Sequence, residues 1–276
     1  MEVVNHSNFK SLSLQILNEP SVFEKLRLIK QSTQSDLIQT KDLKLSSDYL
    51  PGRDIEILHP KYHPKKPGFS TKAGQARMLH DLANIELQAM ELGLRTLTEL
   101  NENTPDEFKE HLLNITLSES EHLEMCLHEI DKLGHQWGDW PIHLSLWRTT
   151  SPQDSLLDRI LIVHRYLEGS GLDAGDTLFR RLMLLDCPTV KAAVHKITTD
   201  EVGHVLFGSD WYRKICSLEK IDPEKDYSIR MNNLLNILPK RLEPLSLHLR
   251  KQAGFDENEI QYLQKLRLNQ MGNNIS

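Results

Sequence analysis

Cysteine is scarce in this 276-residue chain: Cys126, Cys187 and Cys216 lie far apart and form no C-x-x-C pair. That excludes a disulfide framework and a thiolate-built zinc site, and it fits a reducing compartment. Aromatic residues make up only 6% of the chain. Val, Ile and Thr seldom alternate with polar residues, so half-buried strands have little to form from. No stretch approaches the roughly 20 apolar residues that span a bilayer, and the segment MEVVNHSNFKSLSLQIL lacks a basic run followed by an apolar one. The expectation is a soluble, cytoplasmic protein with no membrane partner. Basic charge is also in deficit, with 33 Lys and Arg against 39 Asp and Glu for a net charge of −6. Non-specific nucleic-acid binding needs a basic field to displace counterions, so it is not expected as the main activity.

What the chain does hold is Leu recurring with Glu, Lys, Arg and His at helical spacing, and 13 histidines. This pattern predicts an all-α protein. Residues 1–69 read as an N-terminal extension, with amphipathic helices over 7–17, 22–31 and 36–43. An arm over 49–70 follows, in which Pro51, Pro60, Pro64 and Pro67 forbid a helix. Residues 70–218 read as four long helices in two hairpins. The first helix starts at a Ser70 or Thr71 cap and runs to about Asn101, with Met78, Leu82, Ile85, Ala89, Leu92 and Leu97 as its apolar stripe. The second starts with Pro105 as its first helical residue and stops at Gly134. A packed loop over 135–152 leads to the third and fourth helices, over 153–185 and 189–217. Residues 219–276 form a C-terminal helical extension. The whole predicts a four-helix bundle with appendages.

Two E-x-x-H units fall inside these helices, Glu119 with His122 and Glu201 with His204. Residues three apart share one helical face, so each unit presents a carboxylate and an imidazole to one point. The other two helices each offer one carboxylate in apolar company, Glu86 in NIELQAM and Glu168 in RYLEGSG. Glu86 and Glu119 are 33 residues apart, and so are Glu168 and Glu201. At about 1.5 Å of rise per residue, such hairpins bring all four groups to one level, roughly 20 Å from the turns. One Glu from each of two helices and Glu-x-x-His from each of two others is the donor set of ferritin-like di-iron and di-manganese proteins. The rival reading is an ordinary solvated helix face. Buried without a cation, four glutamates would repel one another and cost several kcal/mol each to desolvate.

Around these residues, Asp200 precedes His204 by one turn and could accept its imidazole N–H, with Ser118 at the equivalent place in the other unit. His164 sits one turn before Glu168 and reads as its partner or as an additional ligand. His80 and His195 fall off the ligand face and read as core or interhelix groups. Gly169, Gly171 and Gly175 suggest a π-bulge or break beside Glu168, or a simple helix boundary. Met78, Met90, Met125 and Met183 are assigned to the core, and Tyr166, Trp137, Trp140 and Trp147 to packing and loop anchoring, with electron transfer as their other reading. The basic run His59 to Lys66 reads as a solvated linker, or else as a contact for RNA phosphate.

Through HDLANIELQAMEL, SESEHL, GDWPIHLSLW, RYLEGSGLDAG and DEVGHVLFGSDWYRKIC, residues 66–216 resemble the bacterial ferritin-like proteins of domain-of-unknown-function family 455. The chain departs from that family's pattern at Asn84, where the family carries His, and at Ser118, where it carries a second acid. The family is similar in plan to the di-iron tRNA-modifying monooxygenase of the ferritin-like superfamily, which implies O2 activation. The expected function is therefore a di-iron carboxylate oxidoreductase, with manganese as the other metal candidate, that oxidises or hydroxylates an unidentified substrate. Its metal ligands would be Glu86, Glu119, His122, Glu168, Glu201 and His204, with Glu119 and Glu201 bridging by analogy. O2 and an electron donor would be its partners, and a monomer or homodimer its state. The alternatives are a ferroxidase for iron storage or detoxification, and a non-catalytic, metal-stabilised, possibly RNA-binding protein.

Overall fold

The computed structural model describes residues 6–31, 49–101 and 103–272. The described residues form helices joined by loops, with one isolated parallel bridge between Ile57 and Ile142 as extended pairing. No helix among them is long and apolar enough to cross a membrane. The chain divides into two compact units, Met1–Pro152 and Gln153–Ser276. The helix expected over 36–43 lies outside the described residues.

In the first unit, α1 (His6–Asn18) and α2 (Val22–Gln31) precede a hairpin of α3 (Lys72–Glu99) and α4 (Asp106–Lys132). Thr71 starts α3, its hydroxyl accepting the Gly74 N–H at 3.0 Å. Pro105 is the residue before α4 rather than its first helical residue, because its ψ of 135° is extended. Asp106 and Glu107 then place negative charge on the first turn of α4. The helix ends at Gly134, whose φ of +80° suits a residue without Cβ. The two long helices approach closely at Gly93, where an added Cβ would lie 2.2 Å from Thr116 Oγ1. The proline-rich arm is tied down by backbone: Gly52 N–H donates to Leu17 O, and Leu58 N–H to Ile142 O, each at 2.8 Å. Side chains of α3 hold the loop after α4. Gln88 accepts the Leu146 and Trp147 N–H groups, and both Asn84 and Gln88 donate to His143 O.

In the second unit, a reciprocal cap by Ser155 and Asp158 opens α5 (Leu156–Ile160). A π-helical run, Leu161–Leu167, leads directly into α6 (Glu168–Leu182), which pairs with α7 (Pro188–Glu219). The irregularity expected at the glycines therefore sits just before Glu168, while Gly169, Gly171 and Gly175 continue regular helix. Gly169 and Gly175 serve packing: an added Cβ would meet Arg250 Nη1 at 2.7 Å and Thr198 Oγ1 at 2.5 Å. After α7 come α8 (Pro223–Leu234), α9 (Leu247–Gln252) and α10 (Glu257–Gly272). Leu172 and Val205 of the hairpin share a core with Ala253, Phe255, Ile260 and Leu263 of this tail.

Several apolar assignments need correction, and Leu82, Ala89 and Leu97 of the expected α3 stripe are only half-buried. Met183 is 57% exposed, because α6 ends at Leu182 and leaves it in the turn. Ile85 points outward from α3 at 39% exposure, and Met125 is half-buried. Met78 and Met90 are core residues as expected.

Candidate metal centre

In the first unit, α3 supplies Glu86 and α4 supplies Glu119 and His122, all three buried. His122 Nδ1 lies 3.5 Å from Glu86 Oε2 and 3.5 Å from Glu119 Oε2. Burial disfavours charge on this imidazole, but the Glu119 and Glu86 carboxylates outweigh that and push its pKa up to about 11. A cation is therefore wanted between these two acids, and a proton on His122 is the simplest one.

In the second unit, α7 presents Glu201 and His204, both buried, with His204 Nδ1 3.2 Å from Glu201 Oε1. Glu168 stands at the first position of α6 with its side chain 8% exposed. Its two carboxylate oxygens each lie 2.9 Å from Nδ1 of the buried His164. Buried Glu and His side chains that could bind a metal ion are thus present in both units, Glu119 and His122 in the first, Glu201 and His204 in the second.

The units repeat one another at an offset of 82 residues. Glu86, Glu119 and His122 recur as Glu168, Glu201 and His204, and Gly93 and Thr116 recur as Gly175 and Thr198. The close helix approach recurs with them. So does a buried acid five residues beyond the single Glu, Glu91 in the first unit and Asp173 in the second. Glu91 lies 2.9 Å from Lys25 Nζ and accepts from both terminal nitrogens of Arg53. Asp173 accepts from Arg250 at 2.6 Å, Arg267 at 3.1 Å and the Ser246 N–H at 2.8 Å. Burial alone would raise the Glu91 carboxyl, yet Arg53 and Lys25 hold it below its ordinary value. Burial likewise pulls the Lys25 ammonium down against the pull of Glu91.

Residues 18–261 match the family described as "Protein of unknown function (DUF455)". The chain belongs to that family. An uncharacterized protein of Haemophilus influenzae is 28% identical to this DUF455 chain over 256 residues, 87% of this chain and 88% of the relative. No solved structure matches it.

The remaining candidates of this DUF455 chain fall into place around the two units. Asp200 is ion-paired with Lys196 on a partly exposed face of α7, and Ser118 is half-buried. His80 is a core group stacked on Trp137 at 4.7 Å. Its echo, His195, is exposed and stacks on Phe179 at 5.0 Å, so the core reading fails there. Trp147 anchors the loop by donating to Tyr49 O, and Tyr166 donates to Pro239 O at 2.6 Å. In the arm, Lys66 pairs with Asp81, and His63 meets Arg77. Reading the sequence missed Glu91, Asp173 and their cations, although the shared spacing from Glu86 and Glu168 was available as a signal.

Proposed function

We propose that this DUF455 chain is a di-iron carboxylate oxidoreductase that uses O2 to oxidise or hydroxylate an organic substrate. The reading takes residues 70–218 as a ferritin-like bundle, with 1–69 and 219–276 as helical extensions. The observation that carries it is the recurrence, 82 residues apart, of one Glu and one Glu-x-x-His, with the Glu-x-x-His pair buried in each unit. Nothing but charge neutralisation justifies burying such groups twice.

The donors suit the group. Four carboxylates and two imidazoles, with no thiolate among them, match hard-to-borderline divalent iron or manganese better than structural zinc. A bound di-iron centre supplies the electrons for O2 reduction and the oxidising power toward substrate, and an external donor restores it. Glu86, Glu119, Glu168 and Glu201 provide the negative charge, and His122 and His204 the neutral nitrogens. His122 carries a proton when no other cation is present and must give it up to bind through nitrogen, so loading releases protons.

Anaerobic Fe(II) titration tests the reading. About two ions per chain should bind, proton release should accompany binding, and Glu119→Ala should abolish at least one site. O2 should then be consumed in the presence of an electron donor. Fewer than two ions bound by the intact protein, or binding indifferent to Glu119→Ala, overturns it.

A further inference from the structure

Two of the positions at which the 82-residue repeat breaks touch each other. His164 stands where the first unit has Leu82, and Gly208 stands where the first unit has Cys126. An added Cβ on Gly208 would lie 2.5 Å from His164 Cβ, so α7 and the π-helical run approach so closely that only glycine fits opposite His164. The π-helical run over Leu161–Leu167 contains His164 and ends at Glu168. Such wide turns are disfavoured in a free helix and collect at functional sites. Phe207 closes the far side, edge-on to the imidazole at 4.9 Å. The ring is thereby fixed with Nδ1 2.9 Å from both oxygens of Glu168.

We propose that His164 is a positioning residue for Glu168 and that it makes the two metal positions chemically unequal; this rests on the di-metal reading above. Nδ1–H donates to the Glu168 carboxylate and fixes the plane in which its remaining lone pairs are offered. In the first unit, Leu82 offers no such bond, and Glu86 instead lies beside His122. Removing a neighbour that hydrogen-bonds a metal-binding side chain typically costs 10- to 100-fold in metal affinity. The position served by Glu168, Glu201 and His204 is the one that depends on His164.

Titration of the full chain with Co(II), followed by its visible absorption, separates the two positions. His164→Leu copies the first unit's residue. It should leave one ion bound as in the natural chain and weaken the other about 10- to 100-fold, with a changed absorption band for that ion only. His164→Gln, which keeps a donor, should recover most of the lost affinity. Gly208→Ala keeps the imidazole but displaces it, so it should reproduce the His164→Leu effect, and circular dichroism checks that each variant folds. Equal weakening of both ions, or two ions bound by folded His164→Leu and Gly208→Ala as in the natural chain, overturns the proposal. Failure of the natural chain to bind two ions instead overturns the di-metal reading beneath it.

Discussion

His80 should make the protein acid-sensitive well above the carboxylate range. It is fully buried, stacked on Trp137 and edge-on to Trp140, and its Nε2 accepts the Gly138 N–H at 3.2 Å. Burial depresses its pKa from 6.5 to about 4. Asp81 and Asp139 oppose the shift, and Arg77 and His63 add to it. In the unfolded chain the imidazole takes its proton near pH 6.5, so between pH 6.5 and 4 the unfolded state binds more protons. Stability from this group is therefore complete above pH 6.5 and falls as the pH drops toward 4. At about 1.4 kcal/mol per pKa unit, a depression from 6.5 to about 4 is worth roughly 3 kcal/mol. His80→Phe keeps a ring against Trp137 but leaves the Gly138 N–H without its acceptor, which costs about 1–3 kcal/mol at pH 7. Urea unfolding of both proteins from pH 8 to pH 4 is the assay. The natural protein should lead at pH 7, and the two curves should converge as the pH nears 4. Parallel curves, or an imidazole that titrates near pH 6.5 in the folded protein by NMR, would refute this account of the histidine.

Gly93→Ala should cost about 1–3 kcal/mol through overpacking, because its Cβ would lie 2.2 Å from Thr116 Oγ1. Adding Thr116→Ala removes that oxygen and should restore at least half of the loss, so strictly additive effects in thermal unfolding would contradict the contact. Glu91→Ala should destabilise the protein by roughly 3–5 kcal/mol, since Lys25 and Arg53 would stay buried without their acid. A loss below about 1 kcal/mol in urea would show that the cluster is not a buried network.

Periodicity placed the helices well. Thr71 caps α3 as expected, Gly134 ends α4, and both E-x-x-H units lie on helices with their Glu and His side chains buried. A helix start of this kind rests on a single side chain bonding a nearby N–H, so it is readable locally. Outcomes decided by a neighbour were not readable. His80 and His195 occupy equivalent-looking places, yet only His80 has a Trp-rich loop folded over it. Gly169 looks like a helix breaker until Arg250 is found occupying the space above it. The π-run over Leu161–Leu167 has no residue signature of its own, and its contact with Gly208 joins residues 44 apart in the chain.

The segments before α3 and after α7 acquire a physical reason from the repeat. Each hairpin buries an acid five residues beyond its single Glu, and neither hairpin carries the cations that Glu91 and Asp173 meet. Lys25 and Arg53 come from before α3, whereas Arg250 and Arg267 come from after α7. The chemistry demanded at the two acids is the same, but the segments that supply it lie at opposite ends of the chain and share no sequence pattern. An uncompensated carboxylate at either place would cost several kcal/mol, a large fraction of a domain's net stability. These segments therefore complete the charge balance of the helices that carry Glu86 and Glu168. The acid sits just over one turn from Glu86 or Glu168, so the cations brought in from before α3 and after α7 lie against the helical segments that carry these two candidate donors.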